Sequence, residues 1–423
     1  MMSVLTKHSK LIIPTVITCF TIMQILCLLQ FGYTPYPDSN GYIQLAKECV
    51  DANTFYPLNL TDIYFLWNVG SINAVVLSLY LFNSVYPLLL FYCLLQGFSA
   101  KLIYDIAKQL FNEKVAFITL CLFVCYPANY GTGTSLLSET PFLFFSLLSI
   151  KLFLRGNNLI SGIVMAVANY FRPLSIIFIV AILVYSYFKK SSFKSFLTLC
   201  VGYCIVTFSI GMTNYICKDK FFTQGAMGWM GLMQYSWDHD SNKEYDYELF
   251  AGKDPNIIEN KNYDCLQRDS VWRSHFIMWI EQNKMEYFKQ MPEKIVRTYI
   301  SDNVNFCTFL PNKQNREYLY EEISMNSLIA DFPRYSAVQI LVILNLLYYY
   351  LILLTAVIAF CMCVVYRNLS SVAMPATVII AGTFMLMLVG HGEARFHQPF
   401  MPMFIILSSY FCHSVMRRFE LKE

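Results

Sequence analysis

The chain is poor in charge. Only 14% of its 423 residues are Asp, Glu, Lys or Arg, where a soluble globular domain carries nearer a quarter. That shortage, with 56% hydrophobic residues and a mean hydropathy of +0.45, excludes a soluble enzyme and leaves a polytopic membrane protein. Clustered basic charge is also missing. The net charge is +3 and the basic residues are scattered, so nothing points to nucleic acid. The 14 cysteines lie mostly inside apolar runs (Cys27, Cys93, Cys121, Cys125, Cys200, Cys361, Cys363), where a thiol acts as a small hydrophobe. Cys361-Met362-Cys363 is no metal spacing, and neither a disulfide framework nor a zinc site is read from them. No internal repeat suggests the inverted halves of a secondary transporter.

Long apolar runs are what the chain has instead. Leu11 to Phe31 carries no charge and is long enough to cross a bilayer. It is too long for a signal-peptide core and lacks a small-residue cleavage site, so it reads as a retained anchor. Lys7, His8 and Lys10 precede it and place the N-terminus in the cytoplasm by the positive-inside rule. Further runs end at Lys108 and Lys114, at Lys151 and Arg155, at Lys189, Lys190 and Lys194, at Arg367, and at Arg417 and Arg418. All of these ends fall on one side if the chain crosses about ten times. The expected fold class is therefore an all-α polytopic membrane protein with about ten transmembrane helices and both termini cytoplasmic. The apolar but Asn- and Gly-interrupted stretch Ile63 to Phe82 breaks the parity unless it lies on the outer surface, so an interfacial or re-entrant helix is expected there. Three segments follow: a membrane module over 1–216 with a first outer loop at 32–85, a mostly helical outer domain over 217–335, and C-terminal membrane helices over 336–423. The outer segment holds more than half of the charges. It contains Trp229, Trp237, Trp272 and Trp279, with an amphipathic stretch from Ser270 to Phe288.

The polar residues that topology gathers at the outer face carry the functional reading. Asp38 follows the first span after two prolines and precedes a helical pattern with Tyr42, Leu45 and Ala46 on one face. It reads as an N-cap or as a general base that takes a proton from an acceptor hydroxyl, and a cap would hold the side chain where such chemistry needs it. Glu139, in Ser138-Glu139-Thr140-Pro141-Phe142, sits in the first turn of a span, where a carboxylate is welcome on electrostatic grounds alone. Arg172 breaks the positive-inside pattern, and an arginine at that depth calls for a partner: Asp38, Glu139 or a lipid phosphate. The stretch from His391 to Phe400 sets Glu393, Arg395, His391 and His397 between apolar spans. Its bland reading is a solvated Glu393–Arg395 pair of little worth. Its functional reading is an arginine fork, helped by a histidine, on a phosphate. Candidate metal ligands are spread over three loops at no diagnostic spacing, so no metal is indicated. Together these residues suit a substrate whose phosphate lies at the interface and whose tail lies in lipid. Arg172 and Arg395 would hold the leaving phosphate while Asp38 deprotonates the incoming hydroxyl.

Asp38…Tyr42…Leu45-Ala46, Leu102 to Phe111, Tyr126-Pro127, Ser138 to Phe142, Arg172-Pro173, Phe276 to Lys294 and Glu393 to Pro402 occur in an order that resembles the GT-C superfamily of polytopic glycosyltransferases. The likeness is to bacterial members related to protein O-mannosyltransferases and to the aminoarabinose transferases of lipid A. The resemblance implies that the first-loop acid, Asp38, is the catalytic base. The residues themselves offer Glu139 as a second carboxylate, Arg172, Arg395 and His391 for the donor phosphate, and Tyr42, Glu393 and His397 in support of them. The donor would be a sugar on a polyprenyl or dolichyl phosphate, the acceptor a glycan, lipid or protein hydroxyl, and the place a bacterial plasma membrane. Three departures stand out. Asp38-Ser39 replaces the Asp-Glu of many relatives, which speaks against a metal-assisted pair of carboxylates there. Leu66 to Gly70 replaces a Pro-rich stretch, and Asn283-Lys284 replaces Asn-Pro. A polymerase acting on lipid-pyrophosphate glycans would show similar outer arginines, and a flippase would need polar residues at mid-span. The Asp38 stretch discriminates between these readings.

Overall fold

The computed structural model describes residues 2–55, 68–225, 228–232, 263–310, 313, 336–389 and 392–420, and these are helical with connecting turns. Five helices are long and apolar enough to cross a membrane: Lys10–Phe31, Tyr86–Leu110, Phe193–Cys217, Ala337–Val365 and Ala394–Arg418. A sixth span results if Glu113–Val124 and Pro127–Thr134, bent by 61° at their junction, count as one. The expectation of about ten is larger because an apolar run in a sequence does not separate a full span from a shorter helix. A straight crossing takes about 20 residues. Asn158–Phe171 and Ser175–Phe188, both counted among the ten, have 14 each, about 21 Å of helix.

In chain order the helices are α1 (Met2–Phe31), α2 (Pro37–Asp51), α3 (Val69–Phe82), α4 (Tyr86–Leu110), α5 (Glu113–Val124), α6 (Glu139–Leu154), α7 (Asn158–Phe171), α8 (Ser175–Phe188) and α9 (Phe193–Lys218). They continue with α10 (Cys265–Gln282), α11 (Lys284–Tyr299), α12 (Ala337–Val365), α13 (Ala373–Val389) and α14 (Met401–Glu420). Three short 3-10 segments, Pro127–Thr134, Val304–Phe309 and Ala394–Phe400, lie between them. Helix α4 packs against α1, α5 and α6, α7 lies against both α6 and α9, and α14 lies against α12 and α5. The α7–α9 contact is close because each helix offers a glycine. A Cβ on Gly162 would fall 1.9 Å from the Leu199 carbonyl oxygen, and one on Gly202 would fall 2.2 Å from that of Leu159. Backbones can approach this closely only where a side chain is missing.

The two ends of the bundle differ. At one, Lys151 meets Asp105 at 2.5 Å and Lys108 meets Glu113 at 3.2 Å, while Arg418 donates to Tyr366 at 3.0 Å. The basic ends of α4, α6, α12 and α14 thus gather together. The other end carries α2, the three 3-10 segments and α11. There the C-terminus of α1 closes on Gly32 at φ +67°, and Lys313 Nζ donates to the freed carbonyls of Phe31 and Tyr33, as a cation at a helix C-terminus should.

Two local expectations change. Helix α2 starts at Pro37, with Tyr36 in the N-cap position and no side-chain cap bond. Asp38 is therefore the second residue of the helix and not its cap. Proline at the first helical position explains the earlier start, since its missing N–H is not needed there. Ser39, Tyr42, Leu45, Ala46 and Cys49 form the buried face of the helix. The amphipathic stretch Ser270–Phe288 is two helices, because α10 ends and α11 begins at Asn283. Phe276 stacks near Trp279 and Tyr287, and the Tyr287 hydroxyl donates to the Leu388 carbonyl at the end of α13. The sequon Asn59-Leu60-Thr61, Trp237 and residues 63–67 of the expected interfacial helix lie outside the described residues.

Candidate active site

Helix α2 is held at its start by contacts from far along the chain. Tyr36 donates its hydroxyl to the Val304 carbonyl at 2.6 Å, and Ser39 donates to that of Leu136 at 3.1 Å. Thr34, Thr134 and Thr308 form a buried hydroxyl cluster, with Thr34–Thr308 at 3.1 Å and Thr134–Thr308 at 2.6 Å. The 3-10 segments 127–134 and 304–309 pack so closely that a Cβ on Gly131 would sit 2.1 Å from the Asn305 carbonyl oxygen. Such fixing removes the freedom a loop acid would otherwise have.

On this base five of the expected site residues meet. Arg395 Nη1 lies 2.8 Å from Asp38 Oδ2, and its Nε lies 2.8 Å from Glu393 Oε1. Arg172 Nη1 lies 2.6 Å from Glu139 Oε1 and 3.2 Å from Ser138 Oγ. The two ion pairs share one ring: the Phe396 centroid is 5.2 Å from the Arg172 guanidinium carbon and 5.7 Å from that of Arg395. Tyr42 lies within electrostatic range of all four charged groups, and burial beside the Asp38 and Glu139 carboxylates pushes its hydroxyl far above the usual phenol range. At neutral pH it is a neutral donor.

Three carboxylates face two guanidiniums here, which leaves one formal negative charge. The arrangement can hold an anion through donors the carboxylates do not occupy, since a guanidinium has five N–H groups. Because Arg395 has two carboxylate partners, it keeps one of them if the other takes a proton. Asp38 and Arg395 retain only 16% and 11% side-chain exposure, so both operate in a medium where charge–charge effects exceed those in water. The Glu393–Arg395 pair, solvated in the bland reading of the sequence, is half-buried.

The remaining candidates behave differently. His391 lies outside the described residues. His397 is fully buried, with Nδ1 2.7 Å from the Thr298 carbonyl oxygen and Nε2 3.3 Å from Asp302 Oδ1. Its ring sits beside those of Tyr299 and Tyr349. His397 therefore anchors the segment that carries Arg395, and its ring nitrogens face Thr298 and Asp302, not the Arg172–Arg395 cluster.

Sequence reasoning missed Asp302. Its carboxylate accepts from the Tyr126 hydroxyl, its carbonyl accepts from Asn345 at 3.0 Å, and it faces His397, so it ties together α12, the turn before residues 127–134 and the 394–400 segment. It lies in the long polar stretch with no flanking apolar run to mark it. Ser138 and Phe396 were in view but had no role assigned. Among the described residues, no group of three or more His, Cys, Asp and Glu side chains is arranged to hold a metal ion.

Residues 72–212 match the family model of the dolichyl-phosphate-mannose-protein mannosyltransferases, a domain of the GT-C superfamily. The match contains Glu139 and Arg172 and stops short of Asp38 and Arg395. No curated protein and no solved structure matches the chain significantly.

Proposed function

From a GT-C domain over residues 72–212 in a multi-helix membrane protein, we propose that the chain transfers a sugar from a polyprenyl-phosphate-linked donor to a hydroxyl acceptor on the outer membrane face. The observation that carries the proposal is the paired cluster Asp38–Arg395 and Glu139–Arg172, set at one end of an apolar bundle. A lipid-phosphate sugar needs cationic donors at the membrane edge, where its phosphate lies. The acceptor needs a base within reach of the same point.

In the proposed reaction, the acceptor hydroxyl attacks the anomeric carbon of the sugar. The bond from that carbon to the phosphate oxygen breaks, and its electron pair leaves with the phosphate. Arg172 and Arg395 stabilise the charge that develops there, a contribution commonly worth several kcal/mol when the donors are preorganised. Asp38 takes the hydroxyl proton. Its bond to Arg395 aims the carboxylate, and Glu393 holds Arg395 from the other side. Glu139 keeps Arg172 in place, and Tyr42, buried beside them, adds a neutral side chain.

The test is transfer by purified chain in lipid vesicles, offered labelled sugar on a polyprenyl monophosphate, on a polyprenyl diphosphate, or as a nucleotide sugar. Incorporation from the monophosphate alone supports the proposal. Use of the diphosphate alone would replace it with a polymerase.

A further inference from the structure

Behind the Glu139–Arg172 pair the bundle is not filled. A cavity of about 40 Å³ lies there, and Glu139, Asp302, Gln96, Ser135 and Gln398 are among its walls. Glu139 and Asp302 come from separate parts of the fold, and this space is what they share. Gln96 and Asp302 are 3% and 1% exposed. Gln96 Oε1 and Gln398 Nε2 are buried without a hydrogen-bond partner, and Asp302 Oδ1 has only the His397 ring beside it, at 3.3 Å. A buried polar atom left unsatisfied is costly, so these groups around one cavity call for an occupant. The space is far too small for a sugar ring. It fits about three water molecules at roughly 10–15 Å³ each, and its walls supply the donors and acceptors that buried water requires.

We propose that the cavity is an internal water site, and that its water hydrogen-bonds the Glu139 carboxylate to Gln96, Gln398 and the Asp302–His397 pair. Glu139 then has Arg172 on one side and water on the other. The charged and titratable groups around it are Arg172 from the end of α7, Arg395 from the 394–400 segment, Tyr42 from α2 and Tyr92 from α4. Asp302 and Tyr126 complete the set across the cavity. Arg172 contacts the carboxylate as an ion pair and Ser138 donates to its Oε2 at 3.3 Å, so water is the further contact, on the cavity side, that helps it hold the arginine. Asp302 acts through that water as a positioning residue. The consequence for catalysis rests on the glycosyltransferase reading, whereas the water site does not.

Two measurements on the full chain in nanodiscs test this. One is a density map sharp enough to show ordered water. The other is the pH profile of sugar transfer for the wild type, Gln96→Leu and Gln398→Leu, two variants on different elements, each first shown to be folded and monodisperse. The expected result is water density touching Gln96 and Asp302, with the acid limb of transfer moved to higher pH by about one unit in both variants, as loss of solvation does to a carboxylate. A dry cavity in the wild type overturns the water site. Water present with an unmoved acid limb in both variants overturns its coupling to Glu139. Water present with no transfer by the wild type from any donor supports the site and counts against the glycosyltransferase reading instead.

Discussion

Asp38 and Arg395, from opposite ends of the chain, meet at 2.8 Å. Neither residue lies in the segment that matches the mannosyltransferase family model, yet they complete the cluster that the segment begins with Glu139 and Arg172. The contact joins the start of α2 to the segment before α14, so it exists only when the first and last membrane helices are both in place.

Arg395→Ala leaves Asp38 and Glu393 facing each other without their shared cation. Breaking a buried pair in this way costs about 3–5 kcal/mol, and with the partial exposure here the expected loss is about 2 kcal/mol. Arg395→Lys keeps the charge but loses the fork, so it should recover most of the stability and little of the transfer. Thermal unfolding in detergent beside a transfer assay separates the two effects.

Asp302 ties three elements through the Tyr126 hydroxyl, Asn345 and His397. Tyr126→Phe removes one of these bonds and should cost about 1 kcal/mol. Asp302→Ala should cost about 2–3 kcal/mol, since the tyrosine hydroxyl and the imidazole both lose their partner. It should also reduce transfer, because the segment bearing Arg395 is no longer anchored. Unfolding midpoints of the two variants compared with wild type check the order.

The helical class was legible from the scarcity of charge and the apolar runs, and Asp38, Glu139, Arg172 and Arg395, which the fold brings together, stood out in the sequence. Each stands at the end of an apolar run, where a polar residue is costly and therefore conspicuous. Their pairing was not legible. Arg172 had Asp38, Glu139 and a lipid phosphate as candidate partners, and the packing of α7 on α6 sets it against Glu139. Asp302 was hidden because its polar neighbours in sequence give a carboxylate no contrast. The count of spans exceeded the five or six long helices because α6, α7, α8 and α13 are apolar but short, and hydropathy measures composition along a run, not reach across a bilayer.

Lys294, on α11 outside the membrane helices, is buried with its ammonium 4.8 Å from the Tyr287 ring centroid, and desolvation lowers its pKa from the ordinary 10.5 to about 7. The unfolded chain therefore binds more protons than the folded one between pH 7 and pH 10.5, and stability rises with pH across that window. Each unit of the gap corresponds to about 1.4 kcal/mol. Lys294→Met should stabilise the protein, by little near pH 10.5 and increasingly as the pH falls towards 7. Unfolding midpoints of both proteins at pH 7, 8 and 9 give the slope.

Gly162→Leu should prevent α7 and α9 from meeting, since even a Cβ there overlaps the Leu199 carbonyl. Overpacking of this kind costs about 1–3 kcal/mol or more. Gly228→Ala, where a Cβ meets nothing within 4 Å, should be neutral. Folded yield by size-exclusion chromatography of the two variants makes the comparison.

The most direct test of the account is sugar transfer from a polyprenyl-monophosphate donor by wild type and Asp38→Asn at equal folded amounts. Asparagine keeps the shape and a hydrogen bond to Arg395 but cannot take the proton. The account predicts a loss of at least about 100-fold, in line with removal of a general base, with an unfolding midpoint close to wild type. Transfer at the wild-type rate in Asp38→Asn would contradict it and show that Asp38 serves only to hold Arg395.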